Sequence, residues 1–298
     1  MKKIILSVTM FAIAASTIFV ACKKEEVKES PKVETTIQND LRKISEKYQS
    51  KADNLTRMTK EQKLTVAAGA DLLAAAEFVN ATWQFMIIPT VSAALGTAVT
   101  IVAAGASIAA YNACGMVANP GVPNDPNVIN NIINHSGNYN VPNPYNNPYE
   151  QVGIRHNELL KIYYLGNMNH PVTNNTSIFD STQLSSQELQ ALPIVANNHP
   201  VAIDSFISLN PITPETGIQP FLNFCFTSTE DAQLKGIIST FYNGMSGIST
   251  LSSTMSYIND YENYFISNST ITAKEKQVLL TCFAVAKHSY SLWYQANS

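Results

Sequence analysis

Apolar residues recur every three or four positions along most of the chain beyond residue 36, and alternating apolar–polar runs are scarce. That period belongs to helices, each with one face turned to a core. Ile37, Leu41, Ile44 and Tyr48 mark a first helix, with charges between them. A second runs from Lys60 to about Trp83 and carries Leu64, Ala67, Ala68, Leu72, Ala75 and Val79. Start signals sharpen the later helices. Asn147-Pro148 caps and opens a helix reaching about Leu165. Ser185 with Glu188 has capping-box spacing, Thr213-Pro214-Glu215 opens another helix, and Thr229-Glu230-Asp231 puts acids in a first turn ahead of a run to Met245. Residues 249–267 continue helically with Tyr257, Tyr261 and Tyr264. Thr272 with Glu275 predicts a capping box for the last helix, which carries Val278, Leu279, Phe283, Val285, Tyr290 and Trp293.

Two stretches break this rhythm. Residues 84–111 hold no charge over 28 positions. Beyond Pro89, small residues return every four: Ser92, Gly96, Thr100 and Ala104 on one line, with Ala93, Thr97, Gly105 and Ala109 on most of another. Small residues so spaced let helix backbones approach closely, in lipid or in water. Three readings stay open for residues 90–111: a buried central helix of a bundle, a membrane-inserting or self-associating helix, or a hairpin. The second break is 119–149, crowded with Asn, Pro and Gly, which favour turns over regular elements. Its Val128, Ile129, Ile132 and Ile133 suit a short helical turn packed on the body. The expected fold is all-α, an irregular multi-helix bundle with a long Asn/Pro-rich loop. The expected organisation is a signal peptide at 1–21, a charged tether at 22–35, a helical segment at 36–118, a linker at 119–147 and a helical domain at 148–298.

The N-terminus begins Met-Lys-Lys and runs apolar or small from Ile4 to Ala21, the layout of a secretory signal. The run stops at Cys22, and Lys23-Lys24-Glu25-Glu26 follow. Phe19-Val20-Ala21-Cys22 resembles the lipobox of bacterial lipoproteins, with Phe where that pattern usually has Leu. The resemblance implies that Cys22 is acylated, that the protein meets the membrane through this lipid anchor, and that it resides at the outer membrane. Each buried methylene of an acyl chain contributes about 0.8 kcal/mol, so a multiply acylated cysteine anchors firmly. The Lys-Lys-Glu-Glu run resembles the short tag that exports lipoproteins to the cell surface in Bacteroidota. An ordinary solvated charge run has the same composition.

Charge narrows the partners. Residues 23–63 hold 11 basic and 8 acidic residues, whereas 64–298 hold 6 basic against 14 acidic. A sparsely charged, acidic body lacks the clustered Lys and Arg that nucleic acid requires, so none is expected. Of the other cysteines, no two of Cys114, Cys225 and Cys282 have metal-ligand spacing. Cys225 and Cys282 lie in apolar helical patterns that favour buried free thiols.

Candidate chemistry concentrates in residues 146–164. Asn147, Pro148, Tyr149, Gly153, His156, Asn157 and Leu160 resemble a segment of uncharacterised Bacteroidota lipoproteins and secreted proteins; that group brings no activity with it. His156 shares a helix face with Leu160, and Gly153 with Asn157. His156 and Asn157 either line a pocket, cap a neighbouring loop, or satisfy backbone groups of the Asn-rich linker. His135, His156, His170, His199 and His288 form no H-x-x-x-H pair, and no metal or other cofactor is expected. There is no G-x-S-x-G elbow, phosphate loop or dinucleotide fingerprint. Asp180-Ser181-Thr182 resembles an O-glycosylation site of exported Bacteroidota proteins, with Ser181 as acceptor, and reads equally as a helix cap. The expected function is that of a membrane-anchored, non-enzymatic interaction or structural protein of the cell envelope. The alternatives are a membrane-active or self-associating protein acting through 90–111, and an enzyme with a dispersed site.

Overall fold

The computed structural model describes residues 31–48, 60–86, 98–104, 106–107, 126–135, 141–167, 186 and 218–297. These residues are almost wholly helical and contain no strand. The helices are α1 (Pro31–Tyr48), α2 (Lys60–Met86), α3 (Pro126–His135), α4 (Glu150–Asn167), α5 (Gln219–Cys225), α6 (Ala232–Ser246), α7 (Leu251–Ser267) and α8 (Ala273–Ala296). Residues 98–104 and 106–107 are also helical, and a 3-10 turn at Thr229–Asp231 leads into α6. The all-α expectation is met. Cys22, Cys114, Ser181 and the helix starts at Ser185 and Thr213 lie outside the described residues.

The start signals act as their chemistry requires. Thr272 accepts the Glu275 N–H while Glu275 accepts the Thr272 N–H, a complete capping box at the head of α8. Asn147 Oδ1 accepts the Tyr149 N–H at 3.0 Å, and the Asn147 carbonyl accepts the Glu150 N–H at 3.2 Å, which launches α4. Asn146 turns the chain with φ of 53°, a conformation asparagine tolerates better than most residues. α1 begins at Pro31, inside the stretch expected to be tether through residue 35; proline suits a first helical turn because its missing N–H has no partner there.

Residues 36–298 form one compact unit. The described residues on both sides of 119–147 belong to that one unit. Within this linker α3 forms, and Ile132 buries completely. Asn131 Nδ2 donates to the Ala296 carbonyl at 3.0 Å, tying α3 to the end of α8. α8 packs chiefly against α2 and α4, and also against α3 and α7. Every residue from Val278 to Trp293 is buried. A helix buried on all sides is the axis of its bundle.

A buried central helix was one of the three readings of residues 90–111. The described part of that stretch, 98–104 and 106–107, is buried in the body as well, from Ala98 to Ser107. Among the described residues the helix long and apolar enough to cross a bilayer is instead Gln62–Trp83 in α2, and most of it is buried. An aromatic layer completes the core. Tyr257 and Tyr261 of α7, Phe241 of α6 and Phe283 of α8 pack with ring centroids 4.6–5.7 Å apart. Ser45 of α1 sits 2.9 Å from the Tyr261 hydroxyl and 3.2 Å from that of Tyr257, beside buried Ile37 and Leu41.

Candidate functional site

α8 carries one charge between Val278 and Trp293, Lys287, and it is wholly buried. An unpaired ammonium in such a place costs several kcal/mol, so partners must converge on it. Glu150 Oε2 from α4 lies 2.8 Å away and Glu262 Oε2 from α7 lies 2.9 Å away. Glu150 Oε1 meets His288 Nε2 at 2.7 Å. Asn147 Nδ2 donates to Glu262 Oε1 at 2.7 Å and to the Leu280 carbonyl at 2.9 Å. One lysine thus joins three helices, and the residue that launches α4 closes the circuit.

Environment sorts the protons. Burial pushes Glu150 upward, but hydrogen bonds from His288 and Lys287 outweigh it, and its carboxyl settles below the usual value. Burial also dominates at Glu262, where the Lys287 charge only partly offsets it, so that carboxyl lies above its usual value. His288 is pushed below the ordinary imidazole value by burial, against the pull of Glu150.

A second cluster centres on Asp71. Asp71 is the one charge among residues 64–76 of α2 and is fully buried. Its Oδ2 accepts the Ser107 hydroxyl at 2.8 Å and the hydroxyl of Ser289. Ser107 in turn accepts the Trp293 indole N–H at 2.9 Å. His156 Nε2 faces the same Oδ2 at 3.4 Å, and its Nδ1 lies 3.0 Å from Asn157 Oδ1. Asn157 Nδ2 donates to the His288 carbonyl at 3.0 Å, which links the two clusters. Burial raises Asp71 above the usual carboxylate value, opposed by His156, Ser289 and Ser107.

A serine, a histidine and an aspartate together invite comparison with a hydrolytic triad, but the wiring differs. A triad places histidine between serine and aspartate, so that imidazole takes the serine proton. Here the aspartate is in the middle and both serines donate to it. Each serine hydroxyl meets the Asp71 carboxylate rather than an imidazole, and Asp71 and His156 are wholly buried. The arrangement is a set of buried polar contacts between helices.

Of the residues singled out from sequence, the structure brings His156 and Asn157 into this cluster. Among the described residues their partners are Asp71 and the backbone of α8. Asp71, Ser107, Glu150, Glu262, Lys287 and Ser289 were not anticipated. The available signal was a lone charge inside a long apolar helix, Asp71 in one case and Lys287 in the other. Among the described residues no group of three or more His, Cys, Asp or Glu is placed to hold a metal. Cys282 is buried and Cys225 partly so; both are free thiols, pushed well up by burial. No protein-family model, curated protein or solved structure matches the chain.

Proposed function

We propose that this chain is a lipoprotein of the bacterial cell envelope, anchored at the outer membrane through acylated Cys22, whose helical body is a non-enzymatic interaction or structural module. The address rests on the signal layout and on Phe19-Val20-Ala21-Cys22. One observation supports the non-enzymatic character: the serines beside Asp71 donate to a wholly buried carboxylate rather than to an imidazole. Polar residues that are buried and mutually bonded between helices serve the body's architecture and leave its outer surface for partners. The acidic, charge-poor body favours protein or glycan partners over nucleic acid.

Metabolic labelling with a palmitate analogue, in a host that processes lipoproteins, tests the anchor. The full-length chain is expected to incorporate label and to sediment with membranes, and Cys22→Ala to lose both. Label retained in the variant, or none in the parent, overturns the anchor. Protease shaving of intact cells carrying a C-terminal tag then assigns the exposed face. Loss of the tag while a periplasmic control survives places the body outside; protection places it in the periplasm.

A further inference from the structure

We infer that one water molecule is built into the contact between α2 and α4, bridging Asp71 Oδ1 and His156 Nε2. Both side chains are wholly buried, and neither atom meets a hydrogen-bond partner among the described residues. Buried polar atoms that no protein group satisfies are what internal water serves, where the spot is polar and at least two groups converge on it. Here two do. His156 Nε2 lies 3.4 Å from Asp71 Oδ2 without hydrogen-bonding it, and Oδ1 belongs to the same carboxyl. One molecule making two hydrogen bonds of about 2.8 Å therefore reaches both atoms.

Neither group is free to aim elsewhere. Asp71 Oδ2 accepts the hydroxyls of Ser107 and Ser289, which fixes the carboxylate. Ser107 in turn accepts from Trp293, so its one hydrogen is committed to Oδ2. On α4, Asn157 Nδ2 donates to the His288 carbonyl, and Asn157 Oδ1 lies 3.0 Å from His156 Nδ1. Turning the ring to give Nε2 another partner breaks that contact. The buried ammonium of α8, Lys287, is held by Glu150 and Glu262.

Small side chains flank the carboxylate. One turn to either side of Asp71 on α2 stand Ala67, Ala68, Ala74 and Ala75, so no bulky neighbour on its own helix overlies it. Water also matches the chemistry. Oδ1 calls for a donor, and water gives it one hydrogen. Toward Nε2 the same molecule either donates its second hydrogen or accepts one, so the site requires no particular protonation of the ring. A metal ion fits less well, because among the described residues no group of three or more His, Cys, Asp or Glu converges to hold one. Asp71 and His156 are then joined through solvent rather than by a direct bond.

The deciding experiment is a high-resolution crystal structure of the full chain with Cys22→Ala. A single ordered water is expected within about 3 Å of both Asp71 Oδ1 and His156 Nε2. Empty density there, or direct bonding of either atom to a protein group, overturns the inference. A peak about 2.0–2.2 Å from both atoms, with anomalous scattering, overturns it in favour of a metal ion. Oxygen-17 relaxation dispersion reads the same site in solution by counting long-lived internal waters. His156→Phe keeps a ring and removes Nε2, and is expected to lose one such water relative to the parent. An unchanged count overturns the bridge. Should that variant not fold, the parent's crystal structure decides alone. Neither readout depends on the lipid anchor.

Discussion

At the scale of single residues, the informative positions are charges where none belong. Lys287 lies in the most buried helix and carries two carboxylates from two other helices. Such a constellation adds little net stability over an apolar replacement, because desolvation offsets most of the attraction, but removal of one member strands the rest. Lys287→Met is expected to destabilise the body by about 3–5 kcal/mol in urea titration, since Glu150 and Glu262 then remain buried without their cation. Adding Glu262→Met should recover part of that loss, for it removes one stranded carboxylate. A double variant as unstable as the sum of the two singles would show that Lys287 and Glu262 do not act as a pair.

At the scale of elements, the contact between α4 and α8 is set by one glycine. A side chain at Gly153 would strike the Ala284 carbonyl and the His288 ring, and a backbone carbonyl inside the axial helix has no room to yield. Gly153 and Asn157 share a face, and both are turned to α8: the first allows the approach, the second uses it for a hydrogen bond. Gly153→Ala would ordinarily strengthen a helix. Here it is expected to cost about 2–3 kcal/mol of overpacking, read as a lower midpoint in thermal or urea unfolding. A neutral or stabilising result would mean that α4 lies farther from α8. The capping boxes belong to this scale too. Thr272 and Glu275 were legible from spacing alone, because a cap is satisfied by atoms three residues apart.

At the scale of the molecule, described residues of the Asn- and Pro-rich linker bond to the last two helices. Asn131 is tied to α8, Asn147 to α7 and α8, and both sides of the linker contribute to the Asp71 cluster: Asp71 and Ser107 before it, His156 and Ser289 after it. A body so wired melts as one. Calorimetry of the full chain with Cys22→Ala is expected to show a single transition for residues 36–298, with calorimetric and van't Hoff enthalpies in agreement. Two resolved transitions would restore a division at 119–147.

Much of this protein was determined locally and could be read from the chain. The all-α class follows from apolar spacing, which decides how a helix must face a core. Capping sites follow from Ser, Thr, Asn and Glu at fixed offsets. The expected address follows from a contiguous run ending at Cys22. What tertiary structure alone decided is which helix is axial and which polar residues meet. Periodicity tells that α2, 90–111 and α8 are all apolar enough for an interior; only packing puts α8 on the axis. His156 and Asn157 were visible as an unusual polar pair, but their partners stand 85 and 131 positions away in sequence, at Asp71 and His288. No local rule spans such separations. The pairing exists because burying one charge forces every helix around it to supply a matching group, and that demand arises only once the helices are assembled.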